Sequence, residues 1–452
     1  MATVDTGDTA WMLIASALVM LMTPGLAFFY GGLVRHKNAL STIMHSFIAV
    51  AVVSVIWVLW GYSLAFGPDH WGFIGGLDWL GLRDVGQEPG PYAATVPHQA
   101  FMLFQLMFAI ITPALITGAF AERAKFSTFL VFVVLWSTLV YCPVAHWVWG
   151  NGGWLRELGA LDFAGGAVVH INAGLAALVA AFVFGRRIGF GREPMEPHDV
   201  TYVVLGTALL WFGWFGFNAG SAITAGGLAV NAFVVTNTAA ASGALTWMAL
   251  SWWLTGKPSV VGAASGAVAG LAAITPASGF VDAMPAVVIG IGAALLCYMA
   301  VRLRGILKFD DTLDVFGVHG VSGTWGMLAT GIFATAAVSG GVGGLIDGNA
   351  DQVLRQLAAI GATLGYSLVM TFVILKALDW VMGLRVSEEE ELVGVDVSQH
   401  GERAYAEVLT SSLEPLMAAS HALAPAPVSD PFVQKSLREE RTRYNPPRQD
   451  VP

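Results

Sequence analysis

Charged side chains are scarce in this chain of 452 residues. Asp, Glu, Lys and Arg together make up 12% of it and hydrophobic residues 56%, whereas an ordinary soluble domain is about 25% charged. That scarcity excludes a large soluble fold and indicates a polytopic membrane protein. The net charge of −9 also gives no reason to expect nucleic acid as a partner.

Cysteine is almost absent as well. Cys142 and Cys297 both lie in apolar stretches, so we expect no disulfide framework. The sequence has no phosphate-binding glycine loop, no cysteine cluster and no nucleophile–base motif, and histidines without acidic or thiolate companions make weak metal sites. We therefore expect neither an enzyme nor a protein that holds a metal or another cofactor.

What the chain has instead is long apolar stretches. A helix of about 20 apolar residues crosses a bilayer, and eleven stretches come near that length or exceed it. They are residues 9–33, 41–66, 98–121, 126–148, 164–184, 200–219, 229–254, 259–276, 284–301, 315–337 and 355–382. The sequence therefore predicts an all-α polytopic membrane protein with eleven transmembrane helices.

Basic residues alternate from loop to loop. The loops after the odd-numbered stretches hold Arg35, Lys37, Arg123, Lys125, Arg186, Arg187, Arg192, Lys257, Arg302, Arg304 and Lys308, whereas the other loops hold only Arg83 and Arg156. Because cytoplasmic loops carry the excess of Lys and Arg, we expect the N-terminus outside and the C-terminus in the cytoplasm. Stretches one to five and six to ten predict an inverted repeat, since an odd number of spans reverses the second half.

The composition changes after the last stretch. We expect a transmembrane domain over residues 1–385 and a cytoplasmic tail over residues 386–452. Within the tail, residues 386–407 are polar and compatible with a helix, and we expect them to be ordered. Residues 408–452 contain several prolines and mixed charge, which predicts disorder.

Two apolar segments each contain a single histidine. His170 lies in DFAGGAVVHINAG (162–174) and His319 in DVFGVHGVSG (314–323). An ionisable group inside a membrane span is a functional hypothesis by default, and one in each half suggests a pair facing each other across the repeat. The alternative is two core histidines, each satisfied by a neighbouring carbonyl group.

Both histidine segments begin with an aspartate. Asp162 and Asp314 are interpreted first as N-caps of the helices that follow. The alternative for Asp162 is that its carboxylate stabilises a nearby cation through its field. No other Asp, Glu, Lys or Arg lies in the bilayer interior apart from the span ends and the last span, and pores for bare cations are usually lined with carboxylates or ordered carbonyls. The pattern favours a small, nearly neutral solute.

Aromatic residues mark three of the stretches. Trp149 lies in HWVWGNGGW (146–154), Phe104 and Phe108 share a helix face at the i, i+4 spacing, and GWFGFNAGS (213–221) ends on Ser221. An indole face can hold an ammonium-type cation by cation–π attraction. Tryptophans at span ends are, however, most often interface anchors, and aromatic stripes are usually core packing.

Taken together, these segments closely resemble the ammonium transporter family (Amt/Mep/Rh), and within it the bacterial and plant Amt branch. The resemblance covers about residues 10–407. It is carried by TPGLAFFYGGLVRHKN (23–38), ITPALITGAFAER (111–123), the two histidine segments, GWFGFNAGS and GLRVSEEEELVGVDVSQHGE (383–402).

The resemblance implies a role for each matching residue. Trp149, Phe108 and Ser221 match an outer recruitment site for ammonium, and Asp162 matches the carboxylate that recruitment and site integrity need. The remaining matches are pore residues: Phe104 and Phe217 resemble a stacked pair that gates the pore, Trp214 resembles a tryptophan of the lumen, and His170 and His319 resemble a histidine pair along it.

The resemblance also implies function and partners. It implies a homotrimer in the cell membrane that recruits ammonium, deprotonates it and conducts ammonia, with the proton either passing along the histidines or returning outside. The tail resembles a segment that responds to P-II signalling proteins; the alternative is a solvated charged tail. The competing function is an ammonium sensor that uses the same site.

Overall fold

The computed structural model describes residues 3–405, and the predicted disordered extension 408–452 lies outside the described residues. The fold consists of α-helices joined by loops. In chain order the longer helices are α1 (Thr6–Leu33), α2 (Ala39–Ile56), α3 (His98–Phe120), α4 (Phe126–Trp136), α5 (Asn172–Phe184), α6 (Val200–Gly220), α7 (Gly227–Thr255), α8 (Val260–Ile274), α9 (Ala283–Leu307), α10 (Val321–Phe333) and α11 (Asp351–Met382). One pair of short antiparallel strands, Asp69–His70 and Ile74–Gly75, lies in the loop before α3.

When helices are counted through the π-helical turns and short helices that adjoin them, nine helical runs within residues 3–405 are long and apolar enough to cross a membrane by length and composition. The all-helical, multi-pass prediction is thereby confirmed at this coarser level. The two remaining predicted spans are shorter in the structure. α8 has 15 residues, and α10 has 13 residues that follow a five-residue π-helical turn at Phe316–Gly320.

Four of the predicted spans contain a π-helical turn, which the apolar pattern did not predict. The turns are Trp57–Gly61, Ser137–Tyr141, Gly166–Ile171 and Phe316–Gly320. A π turn adds a residue to one helical turn and so rotates the side chains that follow, and such turns are frequent at functional sites. Two of the four carry His170 and His319.

Small residues let the helices approach closely. A Cβ on Gly206 of α6 would lie 2.3 Å from the backbone nitrogen of Phe29 in α1. A Cβ on Gly243 of α7 would lie 2.4 Å from the carbonyl oxygen of Gly266 in α8. Because the lipid is as apolar as the helix surfaces, close backbone packing of this kind is a main source of helix association in membranes.

Buried ion pairs join the loops at one end of the bundle. Arg187 donates from Nε and Nη2 to the two carboxylate oxygens of Asp310, each at 2.9 Å. Arg35 donates from its backbone nitrogen and from Nε to Glu122, each at 2.7 Å. Glu122 is 1% exposed and Asp310 also 1%. Arg187 also lies 3.4 Å from Glu122, so these pairs tie the loops after α1, α3, α5 and α9 to one another.

The segment after α11 folds back onto the same end. The Asp396 carboxylate accepts from the backbone nitrogens of Leu40 and Ser41, at 3.0 and 2.7 Å, and so caps the first turn of α2. Glu391, in the short helix Glu388–Val393, accepts from Arg385 at 2.6 Å and from the backbone nitrogen of Ile188 at 2.7 Å. The described part of the tail is therefore held by the loops that the buried ion pairs organise.

Replacing Asp310 with asparagine is expected to destabilise the protein by about 3 kcal/mol, because breaking the buried ion pair leaves the Arg187 guanidinium with only its longer contact to Glu122, at 3.4 Å. Burial alone would raise the pKa of the Asp310 carboxyl, but hydrogen bonds from Arg187 and the charges of Arg123 and Arg187 outweigh burial and lower it. A lowered pKa contributes stability above the ordinary carboxyl value, and that stability is lost as the pH falls through the folded-state value. Thermal unfolding in detergent, measured between neutral and acidic pH, gives both the loss of stability in Asp310→Asn and the pH dependence of the wild-type stability.

The exposed pair Lys376–Asp379 supplies the matched control, because exposed ion pairs contribute about 0–1 kcal/mol. Asp379→Asn should therefore leave the unfolding temperature nearly unchanged. Equal effects of the two substitutions would contradict a structural role for the buried pair.

Candidate functional site

The structure brings His170 and His319 together at the centre of the bundle. Their Nδ1 atoms lie 3.3 Å apart, and the two rings are nearly parallel, at 14°, with centroids separated by 5.3 Å. The residues are 1% and 3% exposed. Since one Nδ1 must carry a proton for the other to accept it, the pair shares one hydrogen bond. Within residues 3–405, Nε2 of His170 is buried without a hydrogen-bond partner.

Asp162 positions the turn that carries His170. Its carboxylate accepts from four successive backbone nitrogens, those of residues 165–168, at 2.7, 2.6, 2.8 and 3.2 Å. Gly165, directly before the π-helical turn Gly166–Ile171, has φ +119°, a conformation that favours glycine. The N-cap interpretation of Asp162 is thus confirmed. The carboxylate is fully used by the helix, whereas the backbone oxygen of Asp162 accepts from Trp149 Nε1 at 2.9 Å.

Asp314 does not have the capping role that its position before His319 predicts. Its carboxylate pairs with Arg304, with Nε and Oδ1 2.6 Å apart. The cap comes instead from Asp311, whose carboxylate accepts from the backbone nitrogen of Phe316 at 2.8 Å. Asp314 has φ +58°, and the chain reverses there, so its side chain faces the end of α9 and not the start of the turn.

An aromatic column covers one side of the histidine pair. The Trp214 ring stacks on the His170 ring at 5.4 Å and 20°, and Phe217 follows at 6.1 Å and 26°. Trp214 donates from Nε1 to the hydroxyl of Thr275 at 2.9 Å, which fixes the plane of the indole. Thr275 was not predicted from the sequence, because a hydroxyl near a helix end carries no distinguishing signal.

A cavity lies beyond Phe217, and we call it the aromatic cavity. It is lined by Phe66, Tyr92, Phe101, Gln105, Phe108, Val148, Trp149, Arg156, Phe163, Ser221 and Ile223 and has a volume of about 220 Å³. The Phe108 and Trp149 rings meet edge to face, with centroids 5.7 Å apart at 85°. The structure therefore brings Trp149, Phe108 and Ser221 to one cavity, as the resemblance implies, while the Asp162 carboxylate points away into its own helix turn.

The ring that packs against Phe217 is not the predicted one. The ring centroids of Phe108 and Phe217 lie 4.2 Å apart, with an interplanar angle of 40°. The Phe104 ring instead contacts Phe108, with centroids 4.9 Å apart, and packs closely against Gly220. Phe104 is one helical turn away from Phe108 along α3, so at the level of Phe217 the facing side chain is Phe108. The predicted Phe104–Phe217 stack is therefore replaced by a Phe108–Phe217 pair.

Eight of the eleven residues that line the aromatic cavity were not predicted as site residues, and two of them, Gln105 and Arg156, bring an amide and a charge to it. Gln105 is 8% exposed, and in the described part of the chain its Oε1 is buried without a hydrogen-bond partner. Arg156 donates from Nη1 to the carbonyl oxygen of Trp149. Each had a signal in the sequence, since Gln105 is an amide in the interior of an apolar span and Arg156 is one of two basic residues in its set of loops.

The histidine pair itself borders a very narrow cavity, which we call the histidine cavity. Its lining includes His170, His319, Trp214, Phe217 and Ile111, and its volume is about 10 Å³, which is room for about one water-sized molecule. On the far side, His319 also lines a larger cavity of about 420 Å³ that contains Arg187, Arg304 and Asp314, and we call it the arginine cavity. The order is thus aromatic cavity, Phe108–Phe217 pair, histidine pair, arginine cavity.

This geometry determines what the site can do chemically. The aromatic cavity offers π faces and a hydroxyl oxygen, which suit a small cation. The histidine cavity offers ring nitrogens in apolar walls, with volume for a single small polar molecule and no fixed carboxylate among its lining residues. Among residues 3–405 no group of three or more His, Cys, Asp or Glu is placed to hold a metal ion.

Comparison with known proteins gives the family. The model of the Ammonium Transporter Family matches residues 10–405. The chain is 54% identical over 401 residues to an ammonium transporter of Bacillus subtilis (strain 168), a match that covers 88% of this chain and 98% of that protein.

Solved structures agree with that match. The crystal structure of Saccharomyces cerevisiae Mep2 superposes with a TM-score of 0.83 at 42% identity, covering 90% of this chain and 93% of that one. A structure described as a sensor Amt protein superposes with a TM-score of 0.81 at 30% identity, covering 87% and 98%. With a family match over nearly its whole described length, this chain is a multi-pass membrane protein that belongs to the ammonium transporter family, a family of transporters and not of enzymes.

Proposed function

We propose that this protein transports ammonium by binding the cation in the aromatic cavity, deprotonating it and conducting ammonia past the histidine pair. The observation that carries the proposal is the hydrogen-bonded pair of His170 and His319 in a cavity with room for about one small molecule. Because apolar walls surround the pair, a permanent charge would be costly there, while ammonia is neutral and small.

The aromatic cavity is suited to hold the cation before deprotonation. The Ser221 hydroxyl donates to the carbonyl oxygen of Phe217 at 2.9 Å, so its remaining lone pairs are free to accept from ammonium. Trp149 has used its N–H on the Asp162 carbonyl, so it offers its ring face. A cation–π contact with a desolvated indole is worth about 2 kcal/mol.

Deprotonation gives chemical selectivity. Ammonium and potassium are similar in size, so a size filter alone separates them poorly. A pore that admits only the neutral form excludes potassium, which has no proton to lose. The released proton either travels along the His170–His319 hydrogen bond, which makes transport electrogenic, or returns to the aromatic cavity side, which makes the pore a path for ammonia alone.

We also propose the finer architecture. The eleven longer helices are eleven spans, the first and second sets of five are related by an inverted repeat, and the N-terminus lies outside. In support, each half supplies one histidine on a π-helical turn, and the loops rich in basic residues lie at the arginine cavity end. The protein assembles as a homotrimer with one pore per subunit, and the tail segment that contacts α2 is the candidate contact for a P-II signalling protein.

A direct test is the concentration dependence of transport in variants of the aromatic cavity. Trp149→Leu removes the indole face and is expected to raise the half-saturating ammonium concentration about 30-fold, the equivalent of about 2 kcal/mol of lost cation–π attraction. Ser221→Ala removes one acceptor and should raise it less. Currents or internal pH changes in proteoliposomes give the measurement.

Trp154 serves as the matched control for Trp149. It is a half-exposed tryptophan, 40% exposed, five residues along the chain and outside the aromatic cavity lining. Trp154→Leu should leave the half-saturating concentration within about twofold. If Trp149→Leu and Trp154→Leu behave alike, the aromatic cavity is not the recruitment site.

The competing function is an ammonium sensor that binds the cation at the same site. The likeness to a structure described as a sensor Amt protein, at 30% identity, is the observation that favours it. A sensor binds ammonium without moving it, so the purified protein in sealed vesicles would show ammonium-dependent changes in tryptophan fluorescence but neither current nor internal alkalinisation.

A further inference from the structure

The aromatic cavity contains a group that a cation site would not be expected to contain. Of its eleven lining residues in the described part of the chain, ten are apolar, aromatic or neutral polar, and the remaining one is Arg156. A guanidinium is charged at every physiological pH. The one formal charge that borders the proposed ammonium site therefore has the same sign as ammonium.

Arg156 is held at this position by the local fold. It lies on the short helix Trp154–Leu158, which begins five residues after Trp149. Leu155, the preceding residue, is fully buried and anchors that helix. Nη1 of Arg156 donates to the carbonyl oxygen of Trp149, the residue whose indole borders the cavity.

The charge of Arg156 is not neutralised by an ion pair within residues 3–405. The ion pairs of the described chain involve other cations: Arg35, His146, Arg187, Arg304, Lys376 and Arg385. Glu157 is the adjacent residue in sequence and is exposed, and neighbours at i, i+1 on a helix do not face each other. The field of the guanidinium therefore reaches the cavity, reduced only by solvent and salt.

We propose that Arg156 sets the ammonium affinity of the aromatic cavity by holding it below the affinity that the aromatic rings and Ser221 would give alone. This inference rests on the proposed function. Two effects act in the same direction: the guanidinium repels the bound cation, and its hydrogen bond occupies the Trp149 carbonyl oxygen, which would otherwise be an acceptor for ammonium. A weaker site also releases its cation more readily towards the Phe108–Phe217 pair.

The opposite role for Arg156 is a brace that positions Trp149 through the carbonyl hydrogen bond. The two roles predict opposite signs. If Arg156 acts as a brace, its removal misplaces the indole and raises the half-saturating ammonium concentration. If its charge opposes binding, removal lowers that concentration.

The test compares Arg156→Gln, Arg156→Lys and Arg156→Glu with the wild-type protein in proteoliposomes. Glutamine keeps a donor for the Trp149 carbonyl and removes the charge, whereas lysine keeps the charge on a flexible stem. Arg156 is exposed, so the variants should fold, and unfolding temperatures within a few degrees of the wild type check this. The half-saturating ammonium concentration and the maximal rate are measured at an ionic strength of about 0.01 M and again at about 1 M, where the Debye length falls from about 30 to 3 Å.

At low ionic strength Arg156→Gln is expected to lower the half-saturating concentration about three- to tenfold, with the maximal rate changed by less than about twofold. Arg156→Glu should lower it further, and Arg156→Lys should stay close to the wild type. The wild-type protein, Arg156→Gln and Arg156→Lys all keep a donor for the Trp149 carbonyl, so these three should converge at high ionic strength, where salt screens the charge.

An equal or higher half-saturating concentration for Arg156→Gln at low ionic strength overturns this inference and leaves the proposed function intact. A difference that persists unchanged at high ionic strength also overturns it, since a screened charge cannot produce one. If the wild-type protein shows no response to ammonium, the proposed function fails first, and this inference fails with it.

Discussion

Replacing His170 with alanine is expected to reduce ammonium transport by about 100-fold or more. A positioned proton acceptor contributes about 10²–10⁴-fold to a proton-transfer step, and the substitution removes the ring whose Nδ1 lies 3.3 Å from that of His319. It also removes the ring face on which Trp214 stacks. His319→Ala should have a similar effect, since either change leaves one ring without its partner. Stopped-flow measurement of ammonium-driven pH changes in proteoliposomes gives the rate.

His45 provides the control for this substitution. It is a buried histidine on α2, 2% exposed, and packs edge to face against Phe129, with centroids 4.5 Å apart and away from the histidine cavity. His45→Ala creates a similar loss of volume in the core, so it should cost stability while the transport rate stays within about threefold. Unchanged transport in His170→Ala, with ammonium still preferred over potassium, would remove the role assigned to the pair.

Asp162→Ala is expected to abolish transport and to lower the free energy of unfolding by about 4 kcal/mol or more. The substitution leaves the backbone nitrogens of residues 165–168 without their acceptor, and each buried donor that loses its partner costs about 1–3 kcal/mol. The turn that these nitrogens belong to carries His170. Thermal unfolding in detergent and transport in proteoliposomes test the two effects separately.

Asp282 is the matched control for Asp162. Its side chain caps α9 by accepting from the backbone nitrogen of Met284 at 3.2 Å, in an exposed position. Because water replaces the lost acceptor there, Asp282→Ala should cost no more than about 1 kcal/mol and leave transport unchanged. If Asp162→Ala folds with wild-type stability but does not transport ammonium, the field of the carboxylate, and not its capping role, is what the pore requires.

Much of the fold was predictable because hydrophobic length is a direct physical signal. Each apolar stretch overlaps one of the helices α1 to α11, and the capping interpretation of Asp162 follows from its place before a glycine and an apolar run. The two histidines were recognisable as isolated ionisable groups in spans. Their contact was not, since nothing in periodicity alone brings residue 170 to residue 319.

The features that the sequence did not predict depend on the rotation of helix faces by π turns and on contacts between residues that are far apart in the chain. A π turn changes the facing of every residue after it by the equivalent of an inserted residue, yet it leaves the hydrophobic pattern of a fully buried helix unchanged. The exchange of Phe104 for Phe108 opposite Phe217 is a difference of one helical turn, which the i, i+4 pattern cannot resolve. Asp311 and Asp314 are three residues apart, and only the backbone at Asp314, with φ +58°, determines which one caps the turn.

The partners of the basic residues at the arginine cavity were also not predictable from the sequence. The basic residues of the loops were read as a signal of orientation, and they are also partners in buried pairs such as Arg187–Asp310. Those pairs join loops that are far apart in sequence, so they depend on the tertiary fold. The sequence predicted which end of the bundle is basic but not which carboxylate each cation meets.

We propose that selectivity arises from proton loss and not from size. The most direct measurement is a concentration jump applied to proteoliposomes of the purified protein, recording current and internal pH, first with ammonium and then with potassium. We expect a saturable response to ammonium and none to potassium. A saturable current means that the proton crosses along the histidines, and alkalinisation without current means that ammonia crosses alone. A potassium current comparable to the ammonium response would contradict the account, because potassium has no proton to give up.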